Sequence, residues 1–424
     1  MPTATPAAAP FRDLPFMGVI HVNNEAARVG YRMGDPDWCN LGQGQPEVGE
    51  LSGAPERLSR IELAPSDHAY GPVEGLPELR QAVADHYNRL FRRGQRSQYT
   101  AENVALASGG RLALTRLGAA LDKGKLGYFI PDYTAYEDLL ATFDRVEPVL
   151  IELRAEDGFR IAPAELEKRV QRDGLGSLLI SNPCNPTGVV IEGEDLREWV
   201  AIARRRNCTL LMDEFYSHYH YAEDGGPAEG PVSAAAFVED VENDPVVIVD
   251  GLTKCFRYPG WRVGWVVAPK RIIQTMAAAG SFVDGGPGRP IQRAALEVLK
   301  PARADQETGA VRRAFAEKAR LTVETLAEVG VRFPAAGGVR GTFYAFGDIS
   351  GLPAPLNDGV AFMREGFKQK VLTVPGEFFD VNPGKRRGGP SPLAGFVRFS
   401  FGPPRGVLET GLKRLAGMIR AARR

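Results

Sequence analysis

From Leu126 onward, short apolar runs alternate with amphipathic stretches. LGYFI is followed by a helix-like segment at 136–143, VEPVLIEL by one at 163–171 and SLLI by one at 194–206, and TLLM closes the series. Short apolar runs separated by segments of 3.6-residue period predict βαβ units and a mostly parallel sheet with helices on both faces. PVVIV and VGWVV add strands beyond a turn-rich stretch at 222–231, which reads as a surface loop. Past Lys270 the pattern turns helical over 272–282, 290–298 and 304–329, the last long enough to bridge two lobes. Short strands TFYAF, VLTV and FVRFS, a helix at 357–370 and a closing helix at 407–421 then predict a separate α+β lobe. Between the last two of these strands, NPGKRRGGPSPLAG at 382–395 reads as a flexible loop with a solvated basic cluster.

Composition narrows the function classes. Lys and Arg number 52 against 52 Asp and Glu, a net charge of zero, so no field draws nucleic acid or an anionic membrane to the chain. A hydrophobic share of 44% and a charged share of 25% over 424 residues mark a globular protein with a large core and two or three domains. Cys39, Cys184, Cys208 and Cys255 are scattered, with neither a CxxC pair nor zinc-ligand spacing, so no metal is expected and a reducing cytoplasm fits. The Pro-rich start lacks the pattern of a signal peptide, and no apolar run reaches membrane-spanning length.

Three segments carry the chemistry. SNPCNPTG at 181–188 directly follows SLLI; its Asn-Pro steps impose a non-helical backbone at the carboxyl end of a strand, where open α/β sheets bind ligands. TLLM runs into Asp213-Glu214-Phe215-Tyr216, placing an acid where burial demands a cationic or hydrogen-bonding partner such as a protonated pyridine nitrogen. After PVVIV comes DGLTKCFRYPGWRVG. Here Lys254 follows a buried strand, where desolvation favours a neutral nucleophilic amine, and Arg262 stands eight residues on, suited to bidentate phosphate binding. Alone, each segment also admits an ordinary structural role: a proline-fixed loop, an acid capping a helix, a surface Lys and Arg.

Together and in this order, the segments resemble the class I/II aminotransferases, aspartate-aminotransferase-like enzymes of fold type I that use pyridoxal 5′-phosphate (PLP). The resemblance runs from Leu41 to the closing helix. It implies an α/β fold with a large PLP-binding domain (51–300), whose mostly parallel central sheet is flanked by helices, and a smaller α+β domain (301–424). A segment at 13–50 would pack with the small domain, behind a flexible tail at 1–12. The implied activity moves an amino group between an L-amino acid and a 2-oxo acid through a Schiff base on Lys254, in a cytoplasmic homodimer with shared active sites. Other Cα or Cβ chemistry on this fold, by a lyase, racemase or cyclising enzyme, is the alternative. A non-catalytic regulator is disfavoured by the retained Lys254 and by the short stretch ahead of Gly44, and a dehydrogenase by the lack of a Gly-x-Gly-x-x-Gly turn.

Carried onto this chain, the resemblance makes Asp213 the partner of the pyridine nitrogen and gives Asn185 and Tyr216 to the ring's 3′-oxygen. Arg262 and Thr253 would bind the phosphate with Gly109, Gly110 and Arg111 of Ala107-Ser-Gly-Gly-Arg111, at a helix N-terminus. Tyr133 would stack on the ring, and Tyr70 would reach the phosphate of a second subunit. Gly44, Asn185 and Arg398 would grip the substrate's α-carboxylate. One departure stands out: Gly251 occupies the place of a common phosphate-binding serine, leaving Thr253 and loop amides as donors. His218 and His220 read as structural and Cys255 as a packing residue. The segment 11–22, with Phe16, Met17 and Ile20, either covers the pocket or packs between the lobes.

Overall fold

The computed structural model describes residues 16–335 and 338–424, so the tail at 1–12 and the start of the segment after it lie outside the described residues. Strands are numbered along the chain: β1 (Cys39–Asn40), β2 (Val104–Ala107), β3 (Gly124–Ile130), β4 (Val146–Glu152), β5 (Leu175–Ser181) and β6 (Thr209–Asp213). They continue with β7 (Val246–Gly251), β8 (Gly264–Val267), β9 (Tyr344–Asp348), β10 (Val371–Leu372), β11 (Val374–Pro375) and β12 (Phe396–Ser400). The main sheet has seven strands in the order β2-β8-β7-β6-β5-β3-β4, and only β8 runs antiparallel to its neighbours. Every residue of β7 and β8 is buried, which is why these strands read as unbroken apolar runs and not as alternation. Crossover helices start and stop on local signals: Pro163 opens the helix Pro163–Asp173, and Gly174, in the left-handed region at φ 66°, ends it.

The second lobe holds the antiparallel sheet β11-β12-β9. VLTV, expected as one strand, divides at Thr373: β10 pairs in parallel with β1 of the N-terminal segment, and β11 pairs with β12. TFYAF begins its strand only at Tyr344, because Thr342 sits at φ 65°, outside any strand conformation. The long helix forms over Pro301–Ala327 and is fixed on both sides. Its Glu307 takes Arg257 Nε at 2.7 Å and Arg57 Nη1 at 3.1 Å, while its Lys318 pairs with Glu47 and donates to the Pro403 carbonyl at 2.7 Å.

The basic loop at 382–395 differs from the expectation of a solvated, flexible run. Lys385 pairs with Glu137, Arg387 Nη2 donates to Asp380 Oδ1 at 2.6 Å, and the Asn382 amide bridges to the backbone of Arg387. Two of its three consecutive cations are thus tied to buried or half-buried carboxylates, and the loop is docked. Among the described residues no helix is long and apolar enough to cross a membrane, and no three metal-ligating side chains cluster.

Candidate active site

Because all main-sheet strands but β8 run parallel, their carboxyl ends share one edge, where the following loops converge. β5 leads into 181–188, β6 ends on Asp213, β7 leads into Lys254 and β3 into 131–136, while Arg262 arrives just before β8 starts from the same edge. Lys254 Nζ donates to the Gly44 carbonyl oxygen. Burial, then the charges of Arg398, Arg111 and Arg262, push its amine down to about 7, with Asp213 opposing. A sizeable neutral fraction at neutral pH follows.

Asp213 is buried; its Oδ2 accepts from the Tyr136 hydroxyl at 2.9 Å and its Oδ1 from the Phe215 N–H at 3.4 Å. Burial pushes its carboxyl up to about 6 despite these bonds. Arg398, also buried, forks to two acceptors: Nη1 donates to Asn185 Oδ1 at 3.0 Å and Nη2 to the Gly42 carbonyl at 2.9 Å. Its guanidinium lies 4.0 Å from the Tyr344 ring centre and 5.0 Å from that of Phe379, and its Nε has no partner. The hydroxyls of Tyr216 and Tyr344 share a hydrogen bond of 3.1 Å.

At the opposite end of the site, Gly109 at φ 91° precedes the helix Gly110–Ala120. A Cβ at 109 would lie 2.6 Å from Arg262 Cζ, and one at Gly110 would lie 2.6 Å from Phe215 Cζ. Gly109 is therefore what lets the Arg262 guanidinium approach the helix N-terminus, while Gly110 makes room for Phe215. Buried Thr253 has a hydroxyl without a partner among the described residues. Arg111 Nε donates to the Tyr133 hydroxyl at 3.1 Å, and the Tyr133 and Tyr136 rings meet edge-on at 5.4 Å. Arg111, Arg262 and Arg398 engage only neutral acceptors among the described residues.

The geometry thus draws the sequence-selected residues into four groups: Lys254 with Gly44, Asp213 with its hydrogen-bond partners, Asn185 with Arg398, and Arg262 with Gly109, while Thr253 is buried on the loop between β7 and Lys254. Tyr70 stands apart, 100% exposed, with only its carbonyl engaged by Arg289. His218 is buried against His86 and Phe256, His220 bonds Gly230 and Glu192, and Cys255 is buried with its thiol on the Phe215 carbonyl. In the N-terminal segment, Val19 lies 3.8 Å from where a Gly44 Cβ would sit and Gly18 lies against Thr134, while Phe16 and Ile20 are exposed. Sequence reasoning gave no role to Tyr136, Tyr344 or Phe379. Tyr136 at least shares a motif with Tyr133; Tyr344 and Phe379 carry no local signal.

An arginine at a glycine-opened helix N-terminus, a buried carboxyl and a lysine of lowered pKa, all at the strand ends of this sheet, suit the class of fold-type I PLP enzymes. An aspartate aminotransferase mutant from Thermus thermophilus superposes with a TM-score of 0.75 at 25% identity, over 96% of this chain and 97% of the other. An aminotransferase from Mycobacterium tuberculosis does so with a TM-score of 0.77 at 24% identity, over 98% and 100%. Residues 36–415 match the family Aminotransferase class I and II. A probable aspartate/prephenate aminotransferase from Thermus aquaticus is 30% identical over 90% of this chain and 91% of its own, and one from Aquifex aeolicus 28% over 89% and 90%. The chain belongs to this family and is a PLP-dependent aminotransferase. The residues present fit that cofactor: Arg262, free of carboxylates, stands by a helix N-terminus and the unpartnered Thr253 hydroxyl suits a phosphate, while Asp213 suits a pyridinium.

Proposed function

We propose that Lys254 is the residue that carries the cofactor and moves the substrate's Cα proton, and that the substrate pair is a dicarboxylic amino acid with its 2-oxo acid. The observation that supports this best is the fall of the Lys254 amine to about 7 within a ring of three arginines that have no carboxylate of their own. PLP, when bound, supplies the electron sink that stabilises negative charge at Cα.

Each residue then has a distinct task. Asp213 holds a proton at the ring nitrogen, because a cation beside a buried carboxylate of raised pKa offsets its desolvation. Arg262, Thr253 and the amides of Gly109, Gly110 and Arg111 bind the phosphate. Tyr133 supports the ring face, and Tyr216 and Asn185 hydrogen-bond the ring oxygen. Arg398, with Asn185 and the Gly44 loop, fixes the α-carboxylate so that the Cα–H bond faces Lys254 Nζ, which removes the proton and returns it. The exposed side chain of Arg111, held by Tyr133, is left for a second carboxylate, in keeping with relatives named for aspartate. Tyr70, free in this chain, serves the site of a second subunit in a homodimer. Four unpaired, buried thiols suit the cytoplasm.

Borohydride reduction of the PLP-loaded protein followed by peptide mapping tests the first part: the adduct should fall on Lys254, and an adduct elsewhere refutes the assignment. A panel of amino donors against 2-oxoglutarate tests the second. Aspartate should exceed alanine and phenylalanine in kcat/KM, and Arg111→Gln should erase that preference; a flat panel would count against the dicarboxylic reading.

A further inference from the structure

Tyr344 is one of the points where the two halves of the site touch. It opens β9 in the small lobe, is 1% exposed, and meets two side chains at once, with the Gly44 loop close by. Its hydroxyl bonds that of Tyr216 at 3.1 Å, and its ring face carries the Arg398 guanidinium at 4.0 Å. A Cβ on Gly44, whose carbonyl takes Lys254 Nζ, would lie 3.9 Å from the Tyr344 hydroxyl. We propose that Tyr344 is a positioning residue with two separable functions: its hydroxyl orients Tyr216 toward the cofactor, and its ring presents Arg398 to the substrate carboxylate. This rests on the roles given above to Tyr216 and Arg398.

The backbone ahead of Tyr344 is built to hold it. Thr342 sits at φ 65°, a conformation that a β-branched residue adopts only when its surroundings impose it. Here the imposition is visible: the Thr342 N–H donates to the Tyr219 carbonyl at 3.1 Å, its carbonyl accepts the Tyr221 hydroxyl at 2.5 Å, and its Oγ1 accepts the Tyr344 N–H at 3.0 Å. Tyr219 and Tyr221 follow Tyr216 on the same large-lobe segment, so the segment that carries the phenol also fixes the tyrosine that bonds to it. With Tyr216 donating to the ring oxygen, its own oxygen is left to accept, and Tyr344 donates to it. That bond makes Tyr216 the stronger donor. The ring contributes differently: a buried guanidinium over an aromatic face is held by cation–π attraction, which needs the π surface and not the hydroxyl.

Two substitutions separate the functions in the PLP-loaded protein. Tyr344→Phe keeps the ring and removes the hydroxyl; a weaker Tyr216 donor leaves the cofactor oxygen more basic. The pH midpoint of the cofactor's visible absorption should rise by about half a pH unit or more. Its spectrally titrated affinity for maleate, a non-reacting dicarboxylate, should stay within about twofold. Tyr344→Leu removes both groups and should show the same midpoint shift plus roughly tenfold weaker maleate binding. Should Tyr344→Leu lose its cofactor, Tyr344→Met, whose longer unbranched chain reaches further along the space of the ring, gives the same comparison. An unshifted midpoint in Tyr344→Phe, or equal loss of maleate binding in Phe and Leu variants, overturns the proposal. A wild-type protein that acquires no visible band overturns instead the functional reading beneath it, so the two failures are told apart.

Discussion

Replacing Gly251 with serine would appear to restore a phosphate donor, and the structure says it should do harm. Gly251 ends β7 and pairs with Gly264 of β8. A Cβ at 251 would press on the Val263 carbonyl oxygen, lie 2.7 Å from Gly264 Cα and stand 3.0 Å from the Phe215 ring. The first two are backbone atoms of an interior strand pair, with no rotamer to retreat into. Overpacking of this kind costs roughly 1–3 kcal/mol, and a rigid backbone neighbour places it toward the upper end. Relief requires β8 to shift, which drags Val263 and with it Arg262, the residue proposed to bind the phosphate. Gly251→Ser should therefore lower the stability of the cofactor-free protein by about 2 kcal/mol in urea unfolding and weaken PLP binding in a fluorescence titration. Gly251→Ala should lose as much stability, since the Cβ and not the hydroxyl is at fault. Thr253→Val gives the contrast: its hydroxyl is buried without a partner, so removal should leave the cofactor-free protein as stable or more so while still weakening PLP binding. An unchanged urea midpoint with tighter PLP binding in Gly251→Ser would refute the steric argument.

Arg398→Lys keeps the charge but cannot reproduce the fork to Asn185 and Gly42 or the stack on Tyr344. It should retain PLP absorption and lose about a hundredfold in kcat/KM for amino acids, roughly 3 kcal/mol, with carboxylate-free amines far less affected. Lys254 becomes neutral as pH rises through about 7, so PLP uptake by the cofactor-free protein should climb with pH below that value and level above it; continued climb to pH 10 would show an unperturbed lysine. Mixing Lys254→Ala with Tyr70→Ala subunits should regenerate partial activity through hybrid dimers, and an active, strictly monomeric protein would exclude the shared site.

What was legible in the sequence follows from how each residue acts. Lys254, Asp213 and Asn185 stand directly after apolar strands, so strand pattern and motif together placed them on one edge of one sheet. The strand β2 and the helix Pro77–Phe91 carry weaker local signals: β2 is only four residues long, and the helix opens on a Gly-Leu-Pro turn. The basic run at 382–395 looked solvated because Glu137, which receives Lys385, lies far away in the chain. Gly251 shows the limit most sharply. Read locally it is a missing donor; in three dimensions it is the only residue that β8 leaves room for.

The residues that pattern could not reveal share a physical origin. Tyr344, Phe379 and Gly42 take their roles from Arg398, and Arg398 in turn reaches Asn185 across 213 positions of sequence. The cofactor side of the site stands on the carboxyl ends of β5, β6 and β7, each supported by its own sheet neighbours. The substrate side hangs from β9, β12 and the N-terminal loop, which belong to the other lobe. Burying an arginine without a carboxylate is costly; the Gly42 carbonyl and the faces of Tyr344 and Phe379 offset that cost from its own lobe, and Asn185 adds the one acceptor from the large lobe. The proposed carboxylate site, which pairs Arg398 with Asn185, therefore draws on both lobes, whereas the proposed phosphate site of Arg262 and Gly109 is formed within the large lobe alone.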